Sequence, residues 1–467
     1  MQVPTFSAPI SIAELRQRVR GRVVQPDDPD YDALRTVVSG EYDRRPAAIV
    51  QVADAPDVAE AVRFAAEIGA VPAVRAGGHS GAGHSTVDDG IVIDLRGLNG
   101  LEIDVAGRTA WAGGGLTAGE YSNAVGAHGL ATGFGDTASV GVGGITLGGG
   151  IGYLVRKHGL TIDALLAAEI VTADGEIRHV DADSHPDLFW AIRGGGGNFG
   201  IVTRFKFRLE DVSRFVGGML LLPATADVLA GFMAEAAAAP EELSAIANVM
   251  PCPPMPFVPE DQHGRLVVMG MMAWTGDVEE GQRVLDRFRG LATPIADMTR
   301  PMTYPEMYPP EPEGAEDYHP MAVARTLFVD RVDHESAALI VDTLEASSAT
   351  MRVAQLRVLG GAMARVPVDA TAFAHRQSPI MVVVAAFYEG PDDKVERTAW
   401  VDAFAASLQG AHTGAYVNFL GDEGEARVRA AYPGATWDRL AAVKARYDPT
   451  NLFRLNQNVP PAAERPA

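Results

Sequence analysis

The sequence contains a single cysteine, Cys252, in 467 residues. One thiol cannot form an intramolecular disulfide, and it cannot build a thiolate metal cluster. The sequence also lacks any apolar run near the ~20 residues that a membrane-spanning helix requires. Its amino terminus has no basic start followed by an apolar stretch, so we expect no secretory signal and assign the protein to the cytoplasm.

Positive charge is scarce, because 39 lysine and arginine residues stand against 60 aspartate and glutamate residues, a formal net charge of −21. Nucleic-acid binding needs clustered basic side chains that displace counterions, so a nucleic-acid partner is disfavoured. The 47% hydrophobic fraction is typical of a globular protein with a sizeable core. The length predicts roughly two or three domains. We expect an enzyme or small-molecule-binding protein, monomeric or homodimeric, without a membrane partner.

Glycine is abundant, and it dominates the loop RAGGHSGAGHS at residues 75–85. Residues 47–75 before the loop have the pattern of strand, helix and strand, with Asp54 as the helix N-cap. Glycine allows positive φ and a close approach of the backbone to a ligand. The sequence therefore places two histidines, His79 and His84, in a ligand-facing loop at the end of a strand.

Two more glycine-dense stretches follow. SVGVGGITLGGGIGYL, residues 139–154, has too many glycines for a regular helix or strand and is expected to lie against a flat or phosphorylated ligand. GGGNFG, residues 195–200, has the spacing of the nicotinamide dinucleotide fingerprint. That fingerprint must follow a strand and open a helix, whereas here a helix precedes it and a strand follows. Nicotinamide binding is therefore disfavoured.

A bound metal is not expected either. The spacing of His79 and His84 in a flexible loop does not place both imidazoles on one helical face, and no HExxH motif completes a site.

The middle of the chain has a different character. From residue 211 to about 414, strands alternate with amphipathic helices and glycine is rare, which predicts an antiparallel sheet flanked by helices. Residues 300–320, rich in proline, tyrosine and acidic residues, are predicted to form a functional loop. The chain then returns through a helix that ends at Asp448-Pro449.

RAGGHS, SVGVGGITLGGGIG, DLFWAIRGGGGNFGIVT, YVNF and YDPTNLFRLNQN together resemble, in order and interval, one flavoprotein family. It is the berberine-bridge-enzyme-like branch of the vanillyl alcohol oxidase and p-cresol methylhydroxylase (PCMH) superfamily. The resemblance is strong over residues 30–210 and 414–460. It implies a two-domain α+β fold of the PCMH type. Residues 1–210 and 415–467 would form the FAD-binding domain, and residues 211–414 an inserted substrate domain with an antiparallel sheet flanked by helices.

The resemblance also implies how FAD is held. In this family the glycine loop wraps the pyrophosphate with backbone N–H groups, and the GGHS histidine, here His79, is bonded to the flavin 8α carbon. Many relatives add a second bond from a cysteine at the position of Thr137, so one covalent bond is implied here. For His84, an imidazole satisfied by backbone and a supporting contact to the loop both stay open. The implied FAD contacts are Arg75, Ala76, Gly77, Gly78, Ser80, Gly81, Thr137, Ser139, Val140, Gly143, Gly144, Gly149, Val202, Asn418, Asn456 and Gln457.

Two positions bear on the chemistry that the resemblance implies. Tyr416 occupies the place of a tyrosine that faces the reactive side of the flavin, and it is either the catalytic base or a wall residue. A phenol acts as a base only if its pKa is lowered by a cation or hydrogen bonds. If YVNF is a strand, Asn418 lies on the same side and supports the site or binds flavin. Val140, at the position that controls dioxygen access, is typical of an oxidase, or it is simple packing.

Substrate contacts are the least specified. Gln355 and Arg357 alternate along a predicted strand, His375 lies in TAFAHR, and Tyr304 is expected at the mouth of the site; each is also consistent with ordinary packing.

The predicted function is an FAD oxidase acting on a C–H bond that bears a hydroxyl or amine, or driving an oxidative cyclisation. Its substrate would be a small molecule, a secondary metabolite or a sugar, and O2 would be reduced to H2O2. Two alternatives are a dehydrogenase of the same fold with another electron acceptor and a non-catalytic flavin or small-ligand binding protein.

Overall fold

The computed structural model describes residues 12–308, 314, 318–410 and 413–463. We divide these into a glycine-rich part, residues 12–211 and 413–463, and a sheet part, residues 215–410.

The glycine-rich part begins with a four-stranded sheet and helices, made of α1 (Ile12–Arg18), β1 (Arg22–Val24), α2 (Tyr31–Arg35), β2 (Ala48–Gln51), α3 (Ala55–Ile68), β3 (Pro72–Arg75) and β4 (Ile91–Asp94). The strand order is β1-β2-β4-β3, and β2 and β3 are both parallel to β4. The predicted strand, helix and strand of residues 47–75 is confirmed. Asp54 caps α3 by accepting from the backbone N–H of Asp57, and Gly69 ends the helix at a φ of +70°.

An antiparallel five-stranded sheet and several short helices follow, made of β5 (Leu101–Asp104), β6 (Thr109–Gly113), α4 (Ala118–Gly126), β7 (Leu130–Ala131), α5 (Val142–Leu147), α6 (Val155–His158), β8 (Leu165–Val171), β9 (Ile177–Asp181), α7 (Pro186–Ala191), β10 (Ile201–Arg208) and β11 (Glu210–Asp211). The sheet order is β5-β6-β10-β8-β9, while β7 pairs with β11. The Asp-Gly pair at residues 174–175 is a turn signal in the sequence and predicts a hairpin, and the structure joins β8 and β9 there. The rings of Tyr121, Phe134 and Phe207 pack edge to face in the core against the five-stranded sheet.

Helix α5 corrects the expectation that residues 139–154 hold no regular helix. Its glycines serve close packing. A Cβ on Gly143 would lie 2.8 Å from the carbonyl oxygen of Gly114, and a Cβ on Gly141, the residue before the helix, would lie 2.4 Å from the backbone nitrogen of Gly77. The glycines thus let this short helix press its backbone against the loop that carries His79.

The sheet part contains β12 (Phe215–Pro223), α8 (Ala226–Ala238), β13 (Leu243–Pro251), β14 (Leu266–Thr275), α9 (Val278–Arg289), β15 (Ala296–Asp297), β16 (Arg300–Pro301), β17 (Ala322–Val329), α10 (His334–Ala346), β18 (Arg352–Val358), α11 (Ala362–Arg365), β19 (Ile380–Phe387) and α12 (Pro391–Leu408). Its antiparallel eight-stranded sheet has the order β15-β12-β14-β13-β18-β19-β17, with β16 beside β12. Phe232, Phe288, Leu344 and Phe404, from the four longer helices, share one core with Trp274 of the sheet. The predicted helix-flanked antiparallel sheet and the α+β class are confirmed.

The other face of this sheet turns toward the glycine-rich part. Met381 and Phe328 pack there with Ile151 and Tyr416. Strand alternation places Gln355 opposite Asn248 on this face, and Arg357 two residues further along β18. The sheet therefore presents a small set of polar side chains to the other part of the chain.

The chain returns to the glycine-rich part through α13 (Glu425–Ala431) and α14 (Ala435–Tyr447). Helix α14 ends before Asp448, as predicted. YVNF corrects the sequence interpretation, because Val417–Phe419 forms a short 3-10 turn and not a strand.

The loop at 300–320 is described in part, since residues 309–313 and 315–317 lie outside the described ranges. Tyr304–Met307 form a 3-10 turn within it. In the part of the chain that the structure covers, we find no helix long and apolar enough to cross a membrane. The same residues contain no group of three or more histidine, cysteine, aspartate or glutamate side chains placed to hold a metal ion.

Candidate active site

A cavity of about 390 Å³ lies where the glycine-rich part meets the sheet part. All three glycine-dense stretches contribute to its wall, together with residues 416–420, residues 455–457 and Arg357. The turn GGGNFG, which fails as a nicotinamide fingerprint, supplies Gly196, Gly197 and Asn198 to this same wall. The cavity thus gathers segments from both ends and the middle of the chain.

Most of the predicted FAD contacts line this cavity. They are Ala76, Gly77, Gly78, Ser80, Thr137, Val140, Gly143, Gly144, Val202, Asn418, Asn456 and Gln457.

The loop and helix α5 meet backbone to backbone at this end of the cavity. A Cβ on Gly77 would lie 2.4 Å from the nitrogen of Gly141 and 2.7 Å from the carbonyl oxygen of Ser139, and Gly78 has a φ of +75°. Glycine is required at Gly77 for space and favoured at Gly78 for backbone conformation. The wall here is backbone with few side chains, which suits a ligand that approaches the backbone closely.

Arg75, a predicted FAD contact, has its side chain behind the loop and outside the cavity wall. Its buried guanidinium donates to the carbonyl oxygens of Leu34 and Thr36 and lies 3.5 Å from the carboxylate of Asp94. Burial lowers the pKa of Arg75 to about 10, while Asp94 acts in the opposite direction. Arg75 therefore fixes the end of β3 to the carboxyl-terminal end of α2.

Three predicted glycine and serine contacts also lie behind the wall. The carbonyl of Gly81 accepts from the hydroxyl of Tyr42 at 3.1 Å. Ser139 lines a separate groove beside α4. Gly149 has a φ of +128° and leaves room for two aromatic rings. A Cβ at this position would lie 3.0 Å from the ring of Phe373 and 3.6 Å from the ring of Tyr416. These residues shape the wall from outside.

Both loop histidines line the cavity. Burial, with a smaller effect of Arg44, lowers the pKa of His84 to about 4, so its imidazole is neutral at physiological pH. Arg44 also donates to the carbonyl oxygens of Gly83 and Thr86, each at 2.9 Å. The loop carrying the histidines is therefore held from outside by an arginine that sequence reasoning missed.

Tyr416 is a closely constrained polar residue of the wall. Its buried phenolic oxygen accepts from the backbone N–H groups of Gly150 at 3.0 Å and Ile151 at 3.3 Å, and from Nδ2 of Asn418 at 2.9 Å. Burial raises the pKa of Tyr416, whereas these donors and the positive charge of Arg357 lower it. Burial is the larger effect, so the pKa of Tyr416 lies above its usual value, and the converging donors offset part of the cost of a phenolate here.

Asn418 contacts Tyr416, as a shared strand face would have allowed, but the local backbone conformation differs from the expected strand. The 3-10 turn at Val417–Phe419, rather than strand alternation, brings the two side chains together. The second Nδ2 proton of Asn418 goes to the carbonyl oxygen of Ile145 at 3.0 Å. The amide is thus fixed between α5 and the phenol.

Of the predicted substrate contacts, Arg357 reaches the cavity and Gln355 stands behind it. Arg357 pairs with Asp136 at 2.6 Å and donates to the carbonyl oxygen of Ile151 at 3.0 Å. Its Nε donates to Oε1 of Gln355 at 3.0 Å, and Nε2 of Gln355 donates to Asn248 at 2.8 Å. Sequence reasoning missed Asp136, although it directly precedes Thr137.

His375 and Tyr304, two of the predicted substrate contacts, do not line the cavity. His375 stacks on Phe328 with ring centroids 4.8 Å apart, and its Nε2 lies 3.1 Å from the carbonyl oxygen of Ala431. The buried Tyr304 hydroxyl lies 2.9 Å from that of Tyr308. Both residues are packing groups rather than mouth residues.

The carboxyl-terminal segment closes the cavity through a buried lysine. Nζ of Lys444 donates to Asp448 at 2.6 Å and to the carbonyl oxygens of Asn198 at 2.7 Å and Phe453 at 2.9 Å. Both side chains of the Lys444–Asp448 pair are 0% exposed. The pair ties the turn of residues 196–198 to the segment that carries Asn456 and Gln457.

Asn456 and Gln457 are held by the backbone around them. Gln457 donates to the carbonyl oxygens of Leu420 at 2.9 Å and Gly421 at 3.1 Å. Asn456 donates to Phe453 at 2.9 Å, while its buried Oδ1 has no hydrogen-bond partner among the described residues. The wall therefore offers an unused acceptor, which suits a ligand with an N–H donor.

Comparison with known proteins bears on both parts of the chain. A model described as "FAD binding domain" matches residues 46–181, and one described as "Berberine and berberine like" matches residues 415–460. (R)-6-hydroxynicotine oxidase of Paenarthrobacter nicotinovorans is 31% identical over 456 residues, which cover 95% of this chain and 97% of that protein. An FAD-linked oxidoreductase of Bacillus subtilis (strain 168) is 30% identical over 96% of this chain and 98% of its own length.

A solved structure extends the likeness to three dimensions. The crystal structure of 6-hydroxy-D-nicotine oxidase from Arthrobacter nicotinovorans superposes with a TM-score of 0.83 at 28% identity, over 98% of this chain and 100% of that one. The likeness spans the cavity, the glycine-dense stretches and the eight-stranded sheet.

Proposed function

The chain belongs to the berberine and berberine-like family of FAD-linked oxidoreductases, and we propose from this that it is an oxidase of small molecules. It takes hydride from a C–H bond bearing a hydroxyl or amine of a secondary metabolite or sugar, or drives an oxidative cyclisation, and O2 is reduced to H2O2. The observation that carries the proposal is the convergence of His79, Val140 and Tyr416 on one glycine-walled cavity. In this proposal residues 1–210 and 415–467 hold FAD, and residues 211–414 cover the substrate.

The residues present fit FAD. Gly77 and Gly143 are sites where a Cβ would collide with neighbouring backbone, so the wall keeps the close approach that a dinucleotide needs. The unused Oδ1 acceptor of Asn456 is buried at the same wall, and a buried acceptor left unpaired costs free energy that a ligand N–H would recover. When bound, FAD supplies the hydride acceptor and passes electrons on to dioxygen.

His79 is proposed as the residue that would bond covalently to FAD. An imidazole nitrogen would replace one hydrogen of the flavin 8α methyl group, with release of a proton and transfer of two electrons through the flavin to O2. It stands in the loop that lines the cavity. Thr137, at the position of the second link in many relatives, offers no thiol, and Cys252 is buried in the sheet part. One covalent bond is therefore expected.

The attachment is tested by acid precipitation. The wild-type pellet should stay yellow and yield a flavin peptide from residues 75–85, whereas His79→Ala should fold but release its FAD into the acid supernatant. His84→Ala is the matched control and should keep acid-stable flavin. Acid-stable flavin in His79→Ala would show that the attachment site is misassigned.

Tyr416 is proposed as the base that receives the hydroxyl or amine proton of the substrate. The three N–H donors on its oxygen stabilise the phenolate, and Arg357 adds a positive charge nearby. Tyr416 lines the cavity in which the substrate would bind. Asn418 orients this oxygen and takes no proton itself.

Val140 supports the assignment of dioxygen as electron acceptor. It lines the cavity, and its side chain is small and branched. A bulkier side chain at this position would leave less room in the cavity. In this proposal Val140 therefore lies on the path by which O2 would reach the flavin.

The function is tested by screening alcohols and amines in an oxygen electrode, with H2O2 assayed in the same reactions. Oxygen uptake matched by H2O2 supports the oxidase. Anaerobic bleaching of the flavin by a substrate that causes no oxygen uptake would show a dehydrogenase. Holoprotein that no compound in a broad screen bleaches would favour a non-catalytic flavin protein.

A further inference from the structure

The cavity wall carries one pair of opposite charges. The described lining residues include one acidic side chain, Asp136, and one lysine or arginine side chain, Arg357. Asp136 lies between β7 and α5 in the glycine-rich part, whereas Arg357 lies on β18 of the sheet part. The pair therefore spans the boundary between the two parts at the cavity.

The guanidinium of Arg357 is fixed by acceptors on several sides. Its Nη2 lies 2.6 Å from Oδ2 of Asp136, its Nη1 donates to Ile151 at 3.0 Å, and Nε and Nη2 donate to Oε1 of Gln355 at 3.0 and 2.8 Å. The Arg357 side chain is 3% exposed, and that of Asp136 is 24% exposed. The carboxylate is therefore the more accessible member of the pair.

The surroundings of Asp136 fix its position as well. Its Oδ1 accepts from the hydroxyl of Thr137 at 3.3 Å, and its carbonyl oxygen accepts from Tyr153 at 3.4 Å. Nε2 of Gln355 lies 3.5 Å from the same Oδ2 that pairs with Arg357. Among the described residues, Arg357 is the ion-pair partner of Asp136. The carboxylate of Asp136 is therefore paired with that guanidinium.

A guanidinium without a partner would make this cavity a site for anions. Arginine in a poorly hydrated site pairs strongly with carboxylates, because water screens the charge little there. The carboxylate of Asp136 already occupies that place. An anionic ligand would have to displace a carboxylate that is tethered at 2.6 Å.

We propose that Asp136 is a specificity-determining residue that cancels the charge of Arg357 and so excludes anionic substrates from the cavity. The inference rests on the proposed function in one respect, because it treats the end of this cavity at Arg357, on the side of the sheet part, as the substrate site. The same contact holds Arg357 on the carbonyl of Ile151, whose N–H donates to Tyr416. Asp136 thus determines the net charge at this end of the cavity and holds the Arg357 guanidinium near the phenol of Tyr416.

Benzoate tests the inference, because its carboxylate can take the place of Asp136 on Arg357. The experiment titrates holoenzyme with benzoate and follows the visible absorption of the bound flavin. Asp136→Asn keeps the size of the side chain and an acceptor oxygen but removes the charge. The dissociation constant for benzoate should fall by at least about tenfold relative to wild type.

Two further variants make the test specific. In Asp136→Asn/Arg357→Met the gain in affinity should disappear, because the cation that attracts benzoate is gone. Asp163→Asn removes the carboxylate from another buried arginine pair, with Arg376 at 2.7 Å, outside the cavity wall. Its dissociation constant for benzoate should equal the wild-type value.

Equal benzoate affinity in wild type and Asp136→Asn would overturn the inference, as would a gain that survives in the double variant. If Asp136→Asn yields no holoprotein, Asp136→Ser removes the same charge with a smaller side chain, and the same two outcomes apply. The titration requires neither turnover nor O2. A failed oxygen-uptake screen with the expected benzoate result would therefore refute the oxidase proposal alone, and the reverse pattern would refute this inference alone.

Discussion

The glycine-rich part and the sheet part build their shares of the cavity by different means. The first brings backbone to backbone, as at Gly77 and Gly141, where even one added carbon would lie 2.4 Å from a neighbouring nitrogen. The second presents side chains from alternate positions of a strand, Gln355 and Arg357, on a sheet whose far face packs against helices. A wall of backbone allows few substitutions, whereas a strand can exchange its outward side chains with little cost to the sheet.

This difference explains how one architecture can keep a cofactor while its substrate changes. Substitutions in the glycine-rich part should be seen first in flavin content and stability. Substitutions on the sheet face should be seen in substrate binding with flavin retained. Four variants, taken from the largest expected effect to the smallest, test where this contrast holds.

Tyr416→Phe tests the contrast most severely, because Tyr416 lies in the glycine-rich part and yet is proposed to act in turnover. Loss of the base should lower kcat by about 10²- to 10⁴-fold with flavin content unchanged. Burial raises the pKa of Tyr416, and a base works deprotonated, so wild-type kcat/KM should rise with pH into the alkaline range. The variant should lose that rise. A variant that keeps both the rate and the pH dependence would remove Tyr416 from the proton transfer.

Lys444→Met breaks the buried pair that closes the carboxyl-terminal wall. Asp448 would be left buried and uncompensated, so the free energy of unfolding should fall by about 3–5 kcal/mol, measured by denaturant titration of the holoprotein. Lys157→Met is the control, since its pair with Glu242 is partly exposed, and it should cost about 0–1 kcal/mol. Similar losses in both variants would show that burial of the pair is not what matters.

Gly77→Ala adds one carbon where the backbone of residues 139–141 stands in the way. The variant should lose about 1–3 kcal/mol of stability and bind less flavin, measured as the ratio of flavin to protein absorbance. Gly81→Ala is the matched control in the same loop, because no atom lies within 4 Å of its added Cβ. If both variants keep full flavin, the backbone contact does not shape the cofactor site.

Gln355→Leu is the mildest change and represents the sheet part. It removes one acceptor of Arg357 and one donor to Asn248, so KM should rise by about 2- to 10-fold with flavin content and unfolding free energy close to wild type. The exposed Gln377→Leu should leave KM unchanged. Flavin loss in Gln355→Leu would break the contrast, since the sheet would then hold the cofactor as well.

What the sequence predicts well is local in origin. The capped helix after Asp54, the hairpin at Asp174-Gly175 and the stop at Asp448-Pro449 each depend on neighbours within a few residues. The glycine stretches also predict the cavity wall, because glycine without regular periodicity indicates close backbone approach.

What the sequence does not predict depends on distant partners. Arg75 and Tyr304 have residue types common in sites, but their hydrogen bonds direct them into the core. Asp136 and Arg357 are 221 positions apart, and no local pattern marks either as the partner of the other. The glycines of residues 141–144 argue against helix α5, because glycine has a low helix propensity. The helix forms where these glycines let the loop at residues 76–77 pack closely, and helix propensity does not include such a distant contact.

The closure of the cavity by Asn198 and Gln457 also sets an order of events in the cell. These residues are 259 positions apart, and the whole eight-stranded sheet lies between them in the chain. At translation rates of about 5–20 residues per second, the ribosome needs roughly 13–50 s to travel from one to the other. The eight-stranded sheet is therefore synthesised before the cavity has its last wall, and under the proposed function FAD could be enclosed only after that sheet has been made.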